Sequence, residues 1–204
     1  QYQFAKRGGR FSAYTPIIAG GENACVLHYI ENSKPLKDGE LLLVDAGCEF
    51  ELYASDITRT YPINGKFSSA QLAIYEVVLE AQVKSIEAIS TKNNVMDAQI
   101  VSEKIITQGL IDLGILNGSM EELHAAGAFK AFYMHKIGHW LGIDVHDAGD
   151  YMEDGEFMKF KPGMITTVEP GIYISSSADV DEKWKGIGIR IEDDILVTAN
   201  GNEN

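Results

Sequence analysis

The segment GELLLVDAGCEFELYASDITRTYPI, residues 39–63, limits what this chain can become more than any other stretch. An apolar run ends on Asp45, a polar break follows, and an alternating run returns through Tyr61, the pattern of a β-hairpin. A turn between Phe50 and Glu51 puts Asp45 directly opposite Asp56. Like charges facing each other on paired strands are destabilising. If buried without a counter-charge, such a pair must be protonated or neutralised. Most aspartates sit at the surface and need no partner, so a bound cation becomes the better explanation only if further ligands occur along the chain.

A chain of 204 residues is long enough to bury a core without disulfides, and it reads as one domain. Cys25 and Cys48 are its only cysteines, too few for a disulfide framework, which points to a reducing, cytoplasmic setting. No apolar run approaches the ~20 residues that cross a bilayer. A formal charge of −13 disfavours nucleic acid and anionic membrane surfaces as partners. The chain opens at Gln1 in mid-pattern and ends at GNEN, as a piece of a longer protein would.

Residues 1–30 are expected to form two strands and no long helix, the second being ACVLHYI around His28. A lone histidine in a strand is uninformative by itself. Ser68 and Gln71 form a capping box for a helix over about 68–90, with Leu72, Tyr75, Leu79, Val83 and Ile86 as its inward face. A second helix spans about 95–113, with Val101, Ile105 and Leu113 among its contacts, and a third runs from Ser119 to about Phe132. These helices are expected to cover one face of a sheet.

The residues that suggest chemistry lie mainly in the last third. MHKIGHWLGIDVHD holds His135, His139 and His146, three of the five histidines, and its glycines favour a partly extended loop over a helix. In MITTVEPGIYI the strand should stop at Glu169, because Pro170 cannot donate to a ladder. In GIGIRIEDDILV, alternation puts Arg190, Glu192 and Asp194 on one face, opposite Ile189 and Ile191. Asp45, Asp56, His139, Glu169 and Glu192 together form an oxygen-rich donor set suited to two divalent ions such as manganese, cobalt or zinc. Water shared by two such ions is acidified, which is the chemistry of hydrolysis.

VDAGCEFELYASDITRTYP, HKIGHWLGIDVHD, TVEPGIYI and GIGIRIEDDILVT resemble the motifs of the pita-bread metallopeptidases, the group that includes aminopeptidase P, Xaa-Pro dipeptidase, methionine aminopeptidase and creatinase. HWLGIDVH, GGENACVLHY and the ending GNEN are most similar to the bacterial aminopeptidase P branch. The resemblance implies an α+β pita-bread fold, a curved antiparallel sheet covered by helices. It also implies a catalytic domain over 1–204 without the family's amino-terminal domain. The implied activity is a dinuclear, most simply Mn2+-dependent, aminopeptidase acting before proline, on peptides with proline in second position, and forming a homo-oligomer when complete. Asp45 would then chelate one metal, Asp56 and Glu192 would bridge, and His139 and Glu169 would complete the other. Glu169 would shuttle the proton, His28, His135 and His146 would line the substrate pocket, and Arg190 would steady the ligands. Lys136 departs from the small residue common at that position. An Xaa-Pro dipeptidase and a non-catalytic pita-bread binding module are the alternatives.

Overall fold

A computed structural model describes all residues, 1–204. Its centre is a set of antiparallel ladders, with the helices Ser69–Ala88 and Val95–Asp112 packed against each other and against one sheet face. The largest apolar cluster joins Ile74, Val78, Ile106 and Leu110 of these helices to Ile172, Ile174, Ile187 and Ile189 of the strands. Both helices begin with complete capping boxes, Ser68 with Gln71 and Asn94 with Asp97. The expected third helix is shorter, Met120–Ala125, because Gly127 adopts a left-handed conformation (φ 67°) that ends it before a 3-10 turn at Ala128–Ala131.

The central hairpin forms, but in a different register from the expected one. Leu41–Asp45 pairs with Thr58–Pro62, and Asp45 faces Thr58. The turn lies at Glu51 and Leu52, whose φ of 50° and 76° make the left-handed pair of a tight hairpin loop. Neither residue advertises that conformation, so the expected turn fell one residue early. Moving a turn by one position shifts the ladder by two, which keeps side chains on their original face. Asp56 therefore lies diagonally from Asp45 on the same side instead of directly across.

Two more ladders form a second long hairpin with a break in it. Ile165–Val168 pairs with Asp193–Thr198, and Gly171–Ile174 pairs with Ile187–Arg190, in one continuous register. The interruption falls at Glu169–Pro170 on one side and Ile191–Glu192 on the other, so Glu169 faces Glu192 across it. The expected single strand over GIGIRIEDDILV is thus two strands, and Glu192 N–H donates across to Thr58 O, joining this hairpin to the central one.

Two further expectations are corrected. ACVLHYI is not a strand: Gly21–Cys25 is a 3-10 turn, and Ile17–Gly20 supplies the strand beside Leu41–Asp45. The turn lies so close to Ile187–Arg190 that a Cβ on Gly188 would be 2.5 Å from the Ala24 carbonyl carbon. The buried face of the first helix comprises Ile74, Val78, Ala81, Gln82 and Ser85, while Leu72, Leu79 and Val83 are exposed. Apolar residues surround this helix, and Gln82 is drawn inward because its amide donates to Asp193 at 2.6 Å. The second helix packs Ile105 and Leu113 against the largest apolar cluster as expected, around buried Ile106 and Leu110, while Val101 is half-buried outside that cluster.

Gly47 lies between the strands Leu41–Asp45 and Cys48–Phe50, and a Cβ there would overlap the Ser55 carbonyl oxygen. Gly47→Ala is expected to cost about 1–3 kcal/mol, as overpacking against unyielding backbone does, read as a lower denaturant midpoint at unchanged m-value.

Candidate metal centre

Asp45, Asp56, His139, Glu169 and Glu192 come from five separated segments and line one cavity of about 360 Å³. His28, His135, His146 and Arg190 share it, so every site residue expected from the sequence is brought together. One ligand atom each from Asp56, His139 and Glu192 lies within 4.8 Å of the others. His139 Nε2 is 3.4 Å from Asp56 Oδ2 and 3.6 Å from Glu169 Oε1.

The histidine segment lies extended beside the Ile165–Val168 strand. Glu169 N–H donates to Ile137 O and Thr167 N–H to His139 O, while Leu141 N–H donates to Ile165 O. A Cβ at Gly138 would overlap the Thr167 carbonyl oxygen, so glycine is what permits this approach. His139 is set further by its amide, which donates to Thr167 Oγ1 at 3.1 Å, and by Nδ1, 3.0 Å from Trp140 O. With Nδ1–H donating to that carbonyl, Nε2 presents its lone pair to the cavity, the tautomer a metal requires.

Arg190 is the one strong cation among these acids. It is 4 % exposed, and its Nη2 donates to Asp45 Oδ2 at 2.6 Å. Its Nε donates to Thr58 Oγ1 at 3.2 Å, and that hydroxyl in turn donates to Glu192 Oε2 at 2.5 Å. Nη1 donates to the Tyr173 hydroxyl at 3.1 Å, and the hydroxyl donates to His135 Nε2 at 2.8 Å. Glu192, its neighbour on the same strand face, lies 4.0 Å from Nε, so the close ion pair of Arg190 is with Asp45.

Tyr14, Thr58 and Tyr173 were not singled out in the sequence. Thr58 and Tyr173 could be found by stepping two and four residues along the extended chain from Asp56 and Glu169, since alternate side chains share a face. Nothing marks Tyr14, which reaches the site across the fold. Its hydroxyl is 2.5 Å from Asp45 Oδ1 and 2.6 Å from Asp56 Oδ1, with one proton for two acceptors. Burial, and then the charges of Asp45 and Asp56, raise the phenol's pKa and keep that proton in place.

Charge supports the fit to a metal. Burial is the largest influence on Asp45, Glu169 and Glu192 and raises all three, Glu169 to about 7. For Glu192 the charges of Glu169, Asp56 and Asp45 add to it. For Glu169, Arg190 and His139 only partly oppose it. His135 is pushed down to about 4 by burial and stays neutral. On His139 burial acts against the proton, but the contacts with Asp56, Trp140 O and Glu169 outweigh it and raise the pKa. Four converging carboxyls with one imidazole and one guanidinium form an oxygen-rich set with unmet negative charge, which suits hard or borderline divalent ions.

Carboxyls whose folded pKa lies above the unfolded value bind more protons in the folded state, so stability falls as pH rises between those values. Glu169 and Asp194, both raised to about 7 chiefly by burial, place that window between about 4 and 7. Metal-free protein is therefore expected to melt at a lower temperature at pH 7.5 than at pH 5, with a divalent ion reversing the loss, as measured by thermal denaturation at both pH values.

The model of metallopeptidase family M24 matches residues 1–199. The chain is 54% identical over 202 residues to an Xaa-Pro aminopeptidase of Haemophilus influenzae, covering 99% of this chain and 47% of that protein. It is 48% identical to the Xaa-Pro aminopeptidase of Escherichia coli, covering 100% of this chain and 46% of that one. The solved structure of Pseudomonas aeruginosa aminopeptidase PepP superposes with a TM-score of 0.98 at 54% identity, over 99% of this chain and 46% of that one. The chain thus spans about half the length of the curated relatives it matches. It has the α+β pita-bread fold of these neighbours, and it belongs to metallopeptidase family M24.

Proposed function

We propose that this chain is the catalytic domain of a longer, metal-dependent exopeptidase that releases the N-terminal residue standing before proline. The observation that carries the reading is the convergence of Asp45, Asp56, His139, Glu169 and Glu192 on one cavity. These five would hold two divalent ions, Mn2+ in our reading and Co2+ or Zn2+ as alternatives that ligand chemistry separates weakly. When bound, such ions supply a water acidified toward hydroxide and polarise the carbonyl under attack. The names of the relatives support the substrate class, peptides with proline in second position.

The chain's own residues would supply the remainder. Glu169 sits in the same cavity with Oε1 3.6 Å from His139 Nε2, which places its carboxylate to carry a proton from water to the leaving proline nitrogen. We assign His135 and His146 to steady the oxyanion, and the two differ in freedom. His135 has Nε2 engaged by Tyr173 and Nδ1 2.8 Å from Lys136 O, whereas His146 stands edge-on to His139 with ring centroids 4.3 Å apart and with both nitrogens free. His146 therefore takes the larger share, and His135 and His28 line the substrate's path. Arg190 holds Asp45 and, through Thr58, orients Glu192. Unpaired Cys25 and Cys48 accord with a cytoplasmic protein, and no helix is long and apolar enough to cross a membrane.

In the complete protein, chelation should abolish cleavage and Mn2+ should restore it. At matched metal content, kcat/KM for an Xaa-Pro peptide should exceed that for its Xaa-Ala counterpart by about tenfold or more, about 1.4 kcal/mol of transition-state discrimination; equal turnover would refute the preference. Glu169→Gln should lower kcat by about 10²–10⁴-fold, with metal content measured alongside. Hydrolysis of an Xaa-Pro-Xaa tripeptide separates this activity from that of an Xaa-Pro dipeptidase, which would leave it intact.

A further inference from the structure

We infer that Gln99, oriented by Glu103, is a positioning residue that sets the relative placement of His135 and His139. The inference rests on the reading of His139 as a metal ligand. Ile137 lies midway between the two histidines and is held on three sides. Its carbonyl accepts from Glu169 N–H at 2.8 Å, and its side chain is buried with Ile89, Ala98, Trp140 and Phe160. Its N–H has no backbone partner and donates instead to Gln99 Oε1 at 2.6 Å. The second long helix thereby substitutes a side-chain amide for the strand that the histidine segment lacks on that side.

A glutamine amide can do this only with its oxygen facing Ile137, and the next turn of the helix enforces that direction. Gln99 Nε2 donates to Glu103 Oε1 at 3.0 Å, and an ionised carboxylate accepts only, so it selects the NH2 edge of the amide. The other carboxylate oxygen of Glu103 lies 3.3 Å from His124 Nε2, outside hydrogen-bonding geometry, so Gln99 is its one side-chain hydrogen-bond partner. Gln99 is 8 % exposed, so water cannot readily replace it, and a glutamine turned the wrong way would set NH2 against N–H. The sequence offers no hint of this clamp, because Gln99 sits in a helix that otherwise serves packing.

The complete protein tests the inference with three variants: Gln99→Met, Gln99→Glu, and the exchange Gln99→Glu with Glu103→Gln. Gln99→Met removes the acceptor. Gln99→Glu keeps an acceptor but sets two carboxylates side by side, whose repulsion drives it away from Ile137 N–H, and the exchange removes that repulsion by giving the carboxylate at 99 an amide donor at 103. Mn2+ titrated calorimetrically into metal-free protein is expected to bind about 10-fold or more weakly in both single variants, the scale seen when a partner of a metal ligand is lost. Their kcat should fall by a similar factor with KM within about twofold, and the exchange should recover most of both losses. Unchanged Mn2+ affinity and kcat in Gln99→Met, with only its melting temperature lowered, would overturn the inference. So would an exchange that binds Mn2+ no better than Gln99→Glu, a comparison that decides the matter even if Gln99→Met fails to fold. A parent protein that binds Mn2+ yet cleaves no Xaa-Pro peptide would sink the substrate reading alone, since the affinity comparison does not depend on it.

Discussion

Four carboxyl groups gathered around a single guanidinium are the constraint on which the rest of this architecture depends. Asp45, Asp56 and Glu192 are all buried, Glu169 adjoins them, and Arg190 forms a close ion pair with only one of the four. A buried charge without a partner is costly, and a site with more acids than cations settles the imbalance by taking up protons or by binding cations. Tyr14 places one hydroxyl donor between Asp45 and Asp56, and burial raises the pKa of Glu169 and Glu192, so without a cation the site favours the protonated forms. Divalent ions would satisfy the same imbalance and leave the carboxyls ionised.

Such an accumulation persists because the backbone around it is tied from several directions. The central hairpin and the broken hairpin meet where Glu192 N–H reaches Thr58 O, and Arg59 strengthens the joint by donating to Glu192 O and Asp193 Oδ1, both at 2.6 Å. The break at Glu169–Pro170 has a clear cause in the missing N–H of proline, and it turns the ends of two strands toward the cavity. Gly138 and Gly47 let backbone segments approach where a side chain would collide. The energetic cost of crowding acids is thus borne by two interlocked ladders and two packed helices, not by the loops alone.

Several features were legible because they depend on local chemistry. Capping at Ser68, the strand end before Pro170 and the extended histidine segment follow from residue types within a few positions of each other. Local pattern is ambiguous where two solutions are nearly equal. The hairpin turn has no glycine or asparagine at its centre, so left-handed Glu51 and Leu52 were not anticipated. The first helix has apolar residues on most sides, and its buried face was decided by what it meets, including Asp193 for Gln82. The Asp45 and Asp56 pairing was misplaced by one turn position yet remained on the correct face, because strand alternation is conserved under a shift of two.

The amino-acid sequence by itself determined which donors exist, their chemical kind and the secondary elements that carry them, since these depend on residue identity and short spacing. Only the tertiary structure decided which acid pairs with Arg190, which phenol lies between the two aspartates, and how the second helix grips Ile137. Those contacts join residues as far apart as Asp45 and Arg190, and hydrogen-bond geometry at that separation depends on how strands and helices pack, information no local pattern contains.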